Sequence, residues 1–199
     1  TNKGLDAIPP YGPLPVTVPG AVAGWVELHK KFGLMDFNLL FKNAIEYAEK
    51  GFPVTEVVAY YLKLSSENFI NYPNFKKTWM PDGKIPSKGE IFKNPNLAST
   101  YKKIASSYGE DFYKGTIANE IVNFINNQGG YFSLEDLSDF KPEWIDPVST
   151  NYRGYDVWEL PPNGQGIAAL QMLNILENYN IKDLGFGSAE YIHLFTEAK

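Results

Sequence analysis

The sequence is 199 residues long, 44% hydrophobic and carries a formal net charge of −5, enough apolar material for a core and the wrong sign for a polyanion-binding surface. It contains no cysteine, two histidines and a single arginine. That removes thiolate and disulfide chemistry, leaves little for a metal centre, and restricts any guanidinium clamp to Arg153. No apolar run reaches membrane-spanning length and no signal peptide is visible, so the chain reads as soluble, with its compartment open and no nucleic-acid or membrane partner expected.

Helices are predicted first. Pro19-Gly20 precedes "AVAGWVELHKKFG", in which Ala21, Trp25, Leu28 and Phe32 share a face and Gly33 offers a left-handed stop. Asp36 is placed to cap a second helix whose apolar positions, Phe37, Leu40, Phe41, Ala44, Ile45 and Ala48, follow the 3.6-residue period until Gly51 and Pro53. Thr55 caps "EVVAYYLKLSSENF", after which residues 71–93 lose all period among prolines and glycines and read as one long loop or insertion. Within that loop Trp79 is the expected anchor. Asn94-Pro95 starts the next helix, striped by Leu97, Tyr101, Ile104, Ala105 and Tyr108. Thr116 opens another, and Ser133 and Asp136 have the spacing of a capping box.

Strand character comes only after Trp144, where "PVSTNY" and "YDVWEL" flank Arg153-Gly154 as a tight hairpin. A helix from Ile167 to Tyr179 follows, apolar on nearly every side and so expected to be deeply buried. The order of helices, hairpin and helices indicates an α+β fold rather than alternating βαβ units. The start at Thr1, and a last helix-like stretch that reaches Lys199 without a stop signal, read as a piece of a longer protein.

The segment between hairpin and helix holds Gly164-Gln165-Gly166-x-x-Ala169, half of a dinucleotide fingerprint. Three readings stay open for it. The glycines could serve only to turn the chain sharply and bring helix and strand together. The exposed amides of Asn163, Gly164, Gln165 and Gly166 could line an anionic substrate pocket. A nucleotide site would need a second strand to carry Asp183, and "NYNIKDLGFG" is too polar and glycine-broken to supply one. Elsewhere no nucleophile elbow, zinc motif, calcium loop or P-loop occurs. His29 and His193 sit among apolar neighbours, and Glu46/Glu49 and Glu135/Asp136 suit helix dipoles and solvent.

The stretches "LPVTVPGAVAGW" (14–25), "AIEYAEKGFPV" (44–54), "IFKNPNLASTYKKIA" (91–105), "FYKGTIANEIV" (112–122), "GGYFSLEDLSDFKPEW" (129–144) and "PVSTNYRGYDVWELPPNGQGIAALQMLNILE" (147–177) resemble, in order, the large subunit of gamma-glutamyltranspeptidases. The resemblance implies a helix-rich portion of an N-terminal nucleophile hydrolase αββα fold, with the hairpin near 147–160 and residues 1–199 forming one partial domain. It implies a precursor that cleaves itself to expose a threonine at the head of a small subunit, and that threonine, with its own amine as base, moves a gamma-glutamyl group to water or an amino acid. By the same resemblance the nucleophile lies C-terminal to this sequence and the arginine that grips the substrate carboxylate lies N-terminal to it. No catalytic residue, metal or cofactor is expected within residues 1–199, and the expected partners are the small subunit and a small gamma-glutamyl or acyl-amide substrate. Arg153 matches the family's hairpin turn instead of that clamp. Where many members have Ser-Ser-Gly-Gly, this chain has Asn163-Gly164-Gln165-Gly166, which points toward an acylase-like branch. A non-catalytic binding module, or a remnant, is the alternative from another class.

Overall fold

The structure, a computed structural model, describes residues 4–199 and divides into two compact units, residues 1–142 and 143–199, where the sequence reading treats 1–199 as one partial domain. Among the described residues of the first unit the order is α1 (Ala21–Phe32), α2 (Phe37–Leu40), α3 (Lys42–Lys50), β1 (Phe52–Pro53), α4 (Glu56–Phe69), α5 (Phe75–Trp79), a 3-10 turn (Pro81–Gly83), β2 (Ile91–Phe92), α6 (Pro95–Ser106), α7 (Glu110–Lys114), α8 (Thr116–Asn127) and α9 (Leu134–Ser138). The second unit holds β3 (Val148–Tyr152), β4 (Tyr155–Glu159), α10 (Gly166–Leu176), α11 (Ile181–Leu184) and α12 (Ala189–Ala198).

Side-chain caps set several helix starts, because the first amides of a helix have no partner within it. Asp36 accepts from the Asn38 amide at 2.8 Å, Thr55 from Val58 at 3.3 Å and Asn94 from Leu97 at 3.0 Å. Ser133 and Asp136 form both halves of the predicted capping box. The one predicted helix over 37–50 is broken at Phe41 into α2 and α3.

The core of the first unit is built by Val22, Val26, Phe37, Phe41, Ile104, Ala105 and Ile117, with Tyr101, Phe112 and Tyr113 packed against it. This corrects the predicted apolar face of α1. The buried positions are Val22 and Val26, while Trp25, Leu28 and Phe32 are all more than two-fifths exposed. A helix this apolar carries two stripes, and spacing alone does not say which one meets the core. Gly33 is corrected too. Its φ is −70°, ordinary extended backbone, and a Cβ there would lie 2.3 Å from the His29 ring.

Residues 71–93, read as a single loop, contain α5, the 3-10 turn and β2. No regular helix crosses from Lys76 to Ile85, and Trp79 stacks on Phe92 with ring centroids 5.5 Å apart. Strand β2 pairs antiparallel with β1, Phe52 opposite Phe92. Two-residue strands show no alternation, so that pairing leaves no trace in the sequence.

In the second unit β3 and β4 form the predicted hairpin in the register Val148 to Glu159, Thr150 to Val157 and Tyr152 to Tyr155. At its tip Arg153 and Gly154 have φ of 53° and 86°, the left-handed pair that a two-residue turn between twisted strands requires. Helix α10 packs on this hairpin and on α12. It ends at Leu176, short of the predicted Tyr179, because the following residues turn to meet Arg153. The deep burial expected of it is not reached within this unit: Leu170 and Leu176 are buried, but Ile167 and Ile175 are 41% and 45% exposed.

Candidate functional site

The turn that joins β4 to α10 carries the candidate residues Asn163, Gly164, Gln165 and Gly166. Pro161 and Pro162 end the strand by withholding the amide hydrogens a ladder needs. Asn163, Gly164 and Gln165 are exposed, and α10 then begins without a side-chain cap, the Gln165 carbonyl accepting from Ala168 at 3.1 Å and Ala169 at 3.3 Å.

The two glycines of the turn differ. A Cβ on Gly166 would lie 2.7 Å from the Glu159 Cβ and 3.0 Å from the Leu160 carbonyl oxygen, whereas one on Gly164 would meet nothing within 4 Å. Gly166 therefore lets the helix start close against the strand exit, and neither glycine has the positive φ that excludes other residues. The carboxylate of Glu159 lies against the same first turn, its Oε2 2.8 Å from that Cβ position. An acid at a helix N-terminus is favourably placed. It also means that an anion approaching these amides would meet a fixed negative charge.

The strand before the glycines belongs to an antiparallel hairpin, and Asp183 lies in α11, where it accepts from the Asn180 side chain. The parallel strand, helix and second strand of a dinucleotide site are not present among the described residues of this unit.

Arg153, the chain's one guanidinium, is committed locally. Its Nη2 donates to the Tyr179 carbonyl at 2.6 Å, its backbone amide donates to Glu177 Oε1 at 3.0 Å, and its guanidinium stands 5.2 Å over the Tyr152 ring. A cation at the C-terminal end of α10 complements the helix dipole. The hairpin tip is thereby tied to the far end of the helix that its other strand leads into.

The histidines are likewise accounted for. His29 Nε2 donates to the Met35 carbonyl at 2.7 Å, since a carbonyl only accepts, and Nδ1 shares a hydrogen bond of 2.6 Å with the Tyr108 hydroxyl. The ring also packs 5.1 Å from Phe37. His193 lies 3.9 Å from Glu197 on the exposed face of α12. Three of the four carboxylates singled out in the sequence hold structure: Glu46 pairs with Lys50 at 2.6 Å, Glu49 with Lys102, and Asp136 closes the capping box. Hydrogen bonds from the Ser133 amide and hydroxyl hold the Asp136 carboxyl below its ordinary range.

Sequence reasoning missed two positioning groups. Asp111 accepts from the Thr116 amide, the Thr116 hydroxyl and the Ile117 amide at 3.0, 2.9 and 3.1 Å, capping α8 from outside the helix. Burial pushes its carboxyl upward, and these bonds together with the Lys103 ammonium outweigh it and leave the pKa lowered. Tyr113 donates to the Pro19 carbonyl at 2.7 Å and accepts from the Ala23 amide at 3.0 Å, capping α1 from 90 residues away. Burial raises its pKa. The spacing Asp-x-x-x-x-Thr could have hinted at the first; nothing local announces the second.

The gamma-glutamyltranspeptidase family model matches residues 1–199. Over 197 residues the chain is 37% identical to the glutathione hydrolase-like YwrD proenzyme of Bacillus subtilis, covering 98% of this chain and 38% of that protein. Among solved structures it is similar to the cephalosporin acylase from Bacillus halodurans, with a TM-score of 0.90 and 40% identity over 99% of this chain and 38% of the acylase chain. It is also similar to the Helicobacter pylori gamma-glutamyltranspeptidase, with a TM-score of 0.89 and 32% identity over 98% of this chain and 56% of that one. The fold is thus the α+β arrangement of N-terminal nucleophile hydrolases of the transpeptidase and acylase type. The chain belongs to the gamma-glutamyltranspeptidase family, and spans well under half the length of the Bacillus subtilis relative.

Proposed function

We propose that this chain is the central part of the large subunit of a gamma-glutamyltranspeptidase-like enzyme, made as a precursor and activated by self-cleavage. In this reading the nucleophile is a threonine exposed at the head of the small subunit. It takes the gamma-glutamyl group from its donor amide and passes it to water or to an amino acid amine. Residues 1–199 contribute no reacting group. They supply the helical layer, the β3–β4 hairpin and the turn at Asn163–Gly166, with those four residues as candidate lining of the substrate site.

The observation that carries the proposal is the family match along the full 199 residues, joined to a fold that superimposes on a transpeptidase. The departure at Asn163-Gly164-Gln165-Gly166 and the likeness to a cephalosporin acylase favour a second reading, an amide hydrolase for acyl side chains other than gamma-glutamyl. The test is the parent protein. It should split into two subunits on standing, and the processed form should release anilide from a gamma-glutamyl donor. Release from a glutaryl amide with none from the gamma-glutamyl donor supports the acylase reading. Failure to split, with no turnover of either substrate, overturns both and leaves the non-catalytic reading.

A further inference from the structure

The sequence contains one Asn-Gly pair, Asn163-Gly164, and it lies in the exposed turn before α10. Every other asparagine of the second unit has its side chain engaged. Asn151 donates to Asp156 and accepts from the Gly154 amide, Asn174 accepts from Thr150, Asn178 donates to the carbonyls of Asn174 and Ile175, and Asn180 donates to Asp183. Among the described residues the side chain of Asn163 has no such partner, and the Gly164 amide has no acceptor. Apart from its two chain neighbours, nothing lies within 4 Å of the place where a Cβ on Gly164 would sit.

We propose that Asn163 is a site of spontaneous covalent modification, in which the Gly164 backbone nitrogen attacks the Asn163 side-chain carbonyl. The Gly164 N to Asn163 Cγ bond forms, the Cγ–Nδ2 bond breaks, and ammonia leaves with the amide proton, closing a five-membered succinimide. Water then opens the ring. Attack at Cγ restores the main chain and leaves an aspartate; attack at the Asn163 main-chain carbonyl leaves an isoaspartate, with the chain running through Cγ. Asparagine is among the thermolabile residues, and glycine as its neighbour offers the least steric hindrance to ring closure. The pairing of a free nucleophile with an unheld electrophile is confined to this turn within the second unit.

The modification has structural consequences. Either product adds a negative charge just before the N-cap residue Gln165, on the side of α10 where Glu159 already lies. The isoaspartyl product also lengthens the main chain by one methylene, three positions before Gly166, which is seated against Glu159 and Leu160. It must therefore bulge the turn or displace the start of α10. The inference does not depend on the enzymatic reading.

The experiment is to hold the purified chain at mildly alkaline pH, folded and in urea, and to map asparagine by mass spectrometry in heavy-oxygen water. The expected result is amide-to-acid conversion at Asn163 in the folded protein, with one heavy oxygen incorporated and isoaspartate detected by an isoaspartate methyltransferase. Asn178 and Asn180 should remain unchanged over the same interval. Gly164→Val should lose most of the product, and Asn163→Gln should lose all of it while retaining the native circular dichroism spectrum. Conversion in urea but not in the folded chain would show that the turn shields the pair, and so overturn the proposal. Aspartate without isoaspartate, or equal conversion in Gly164→Val, would exclude the cyclic route and overturn it as well.

Discussion

Gly164 and Gly166 stand two positions apart in one turn, and only the second is pressed against other atoms. Replacing Gly166 with valine should therefore force the Glu159 side chain or the Leu160 carbonyl to move, at a cost of roughly 1–3 kcal/mol, as overpacking does. Gly164→Ala should stay within about 0.5 kcal/mol, as a surface change does. Urea midpoints of the two variants check this, and equal midpoints would remove the close-approach argument. Arg153 gives a second contrast. Arg153→Ala deletes the bond to the Tyr179 carbonyl and should cost on the order of 1 kcal/mol of stability. On the proposed function, the same variant of the parent protein should leave KM for a gamma-glutamyl donor unchanged, because the side chain is occupied holding α10. A large rise in KM with stability intact would return Arg153 to the role of substrate clamp.

Among the elements, α8 depends on a group outside itself. Asp111→Ala removes three hydrogen bonds at its start, and the loss of such a cap is expected to cost about 1 kcal/mol. The pH dependence follows from the lowered pKa of Asp111. The folded form holds its carboxylate more tightly than the unfolded chain does, so this stabilisation is complete above the unfolded carboxylate range and fades as pH falls through the depressed folded value. Acid titration of stability should show a shallower loss in Asp111→Asn than in the parent sequence. An identical acid limb in the two proteins would remove the assignment. For α10, no dinucleotide frame is present among the described residues, so saturating NAD, FAD or ATP should leave the thermal midpoint in place, since a ligand that binds only the native state raises it.

For the whole molecule, apolar exposure is the dominant feature. Trp25, Phe32, Leu34, Tyr60, Tyr61, Trp158 and Phe186 are all more than two-fifths exposed, Leu34 and Phe186 almost completely. Scattered exposed apolar residues are ordinary, but contiguous ones mark surfaces that meet another chain or segment, and in the first unit Trp25, Leu28, Phe32 and Leu40 line one groove. A hydrophobic dye should accordingly bind the isolated 199-residue chain more strongly, per molecule, than it binds the parent protein; equal binding would count against a parent fold that covers these residues. The isolated chain is further expected neither to cleave itself nor to release product from a gamma-glutamyl anilide. Turnover that survives repurification would place a reacting group inside residues 1–199.

What the sequence determined by itself was local or periodic. The caps at Asp36, Thr55, Asn94 and Ser133, the hairpin around Arg153-Gly154 and the turn before α10 were legible because each rests on a few adjacent residues whose backbone chemistry has one good solution. The family was legible because its motifs recur in order along the chain. Only the tertiary structure decided which apolar stripe of α1 is covered, how β1 finds β2 across some 40 residues, that Tyr113 caps α1, and that Gly33 is required by His29 rather than by a helix stop. It alone separated Gly166, which needs to be glycine, from Gly164, which leaves Asn163 open to attack. The physical reason is common to all of these. A period, a cap or a turn is a relation between near neighbours, whereas burial, close approach and the satisfaction of a distant polar group depend on what the rest of the chain brings to the same place.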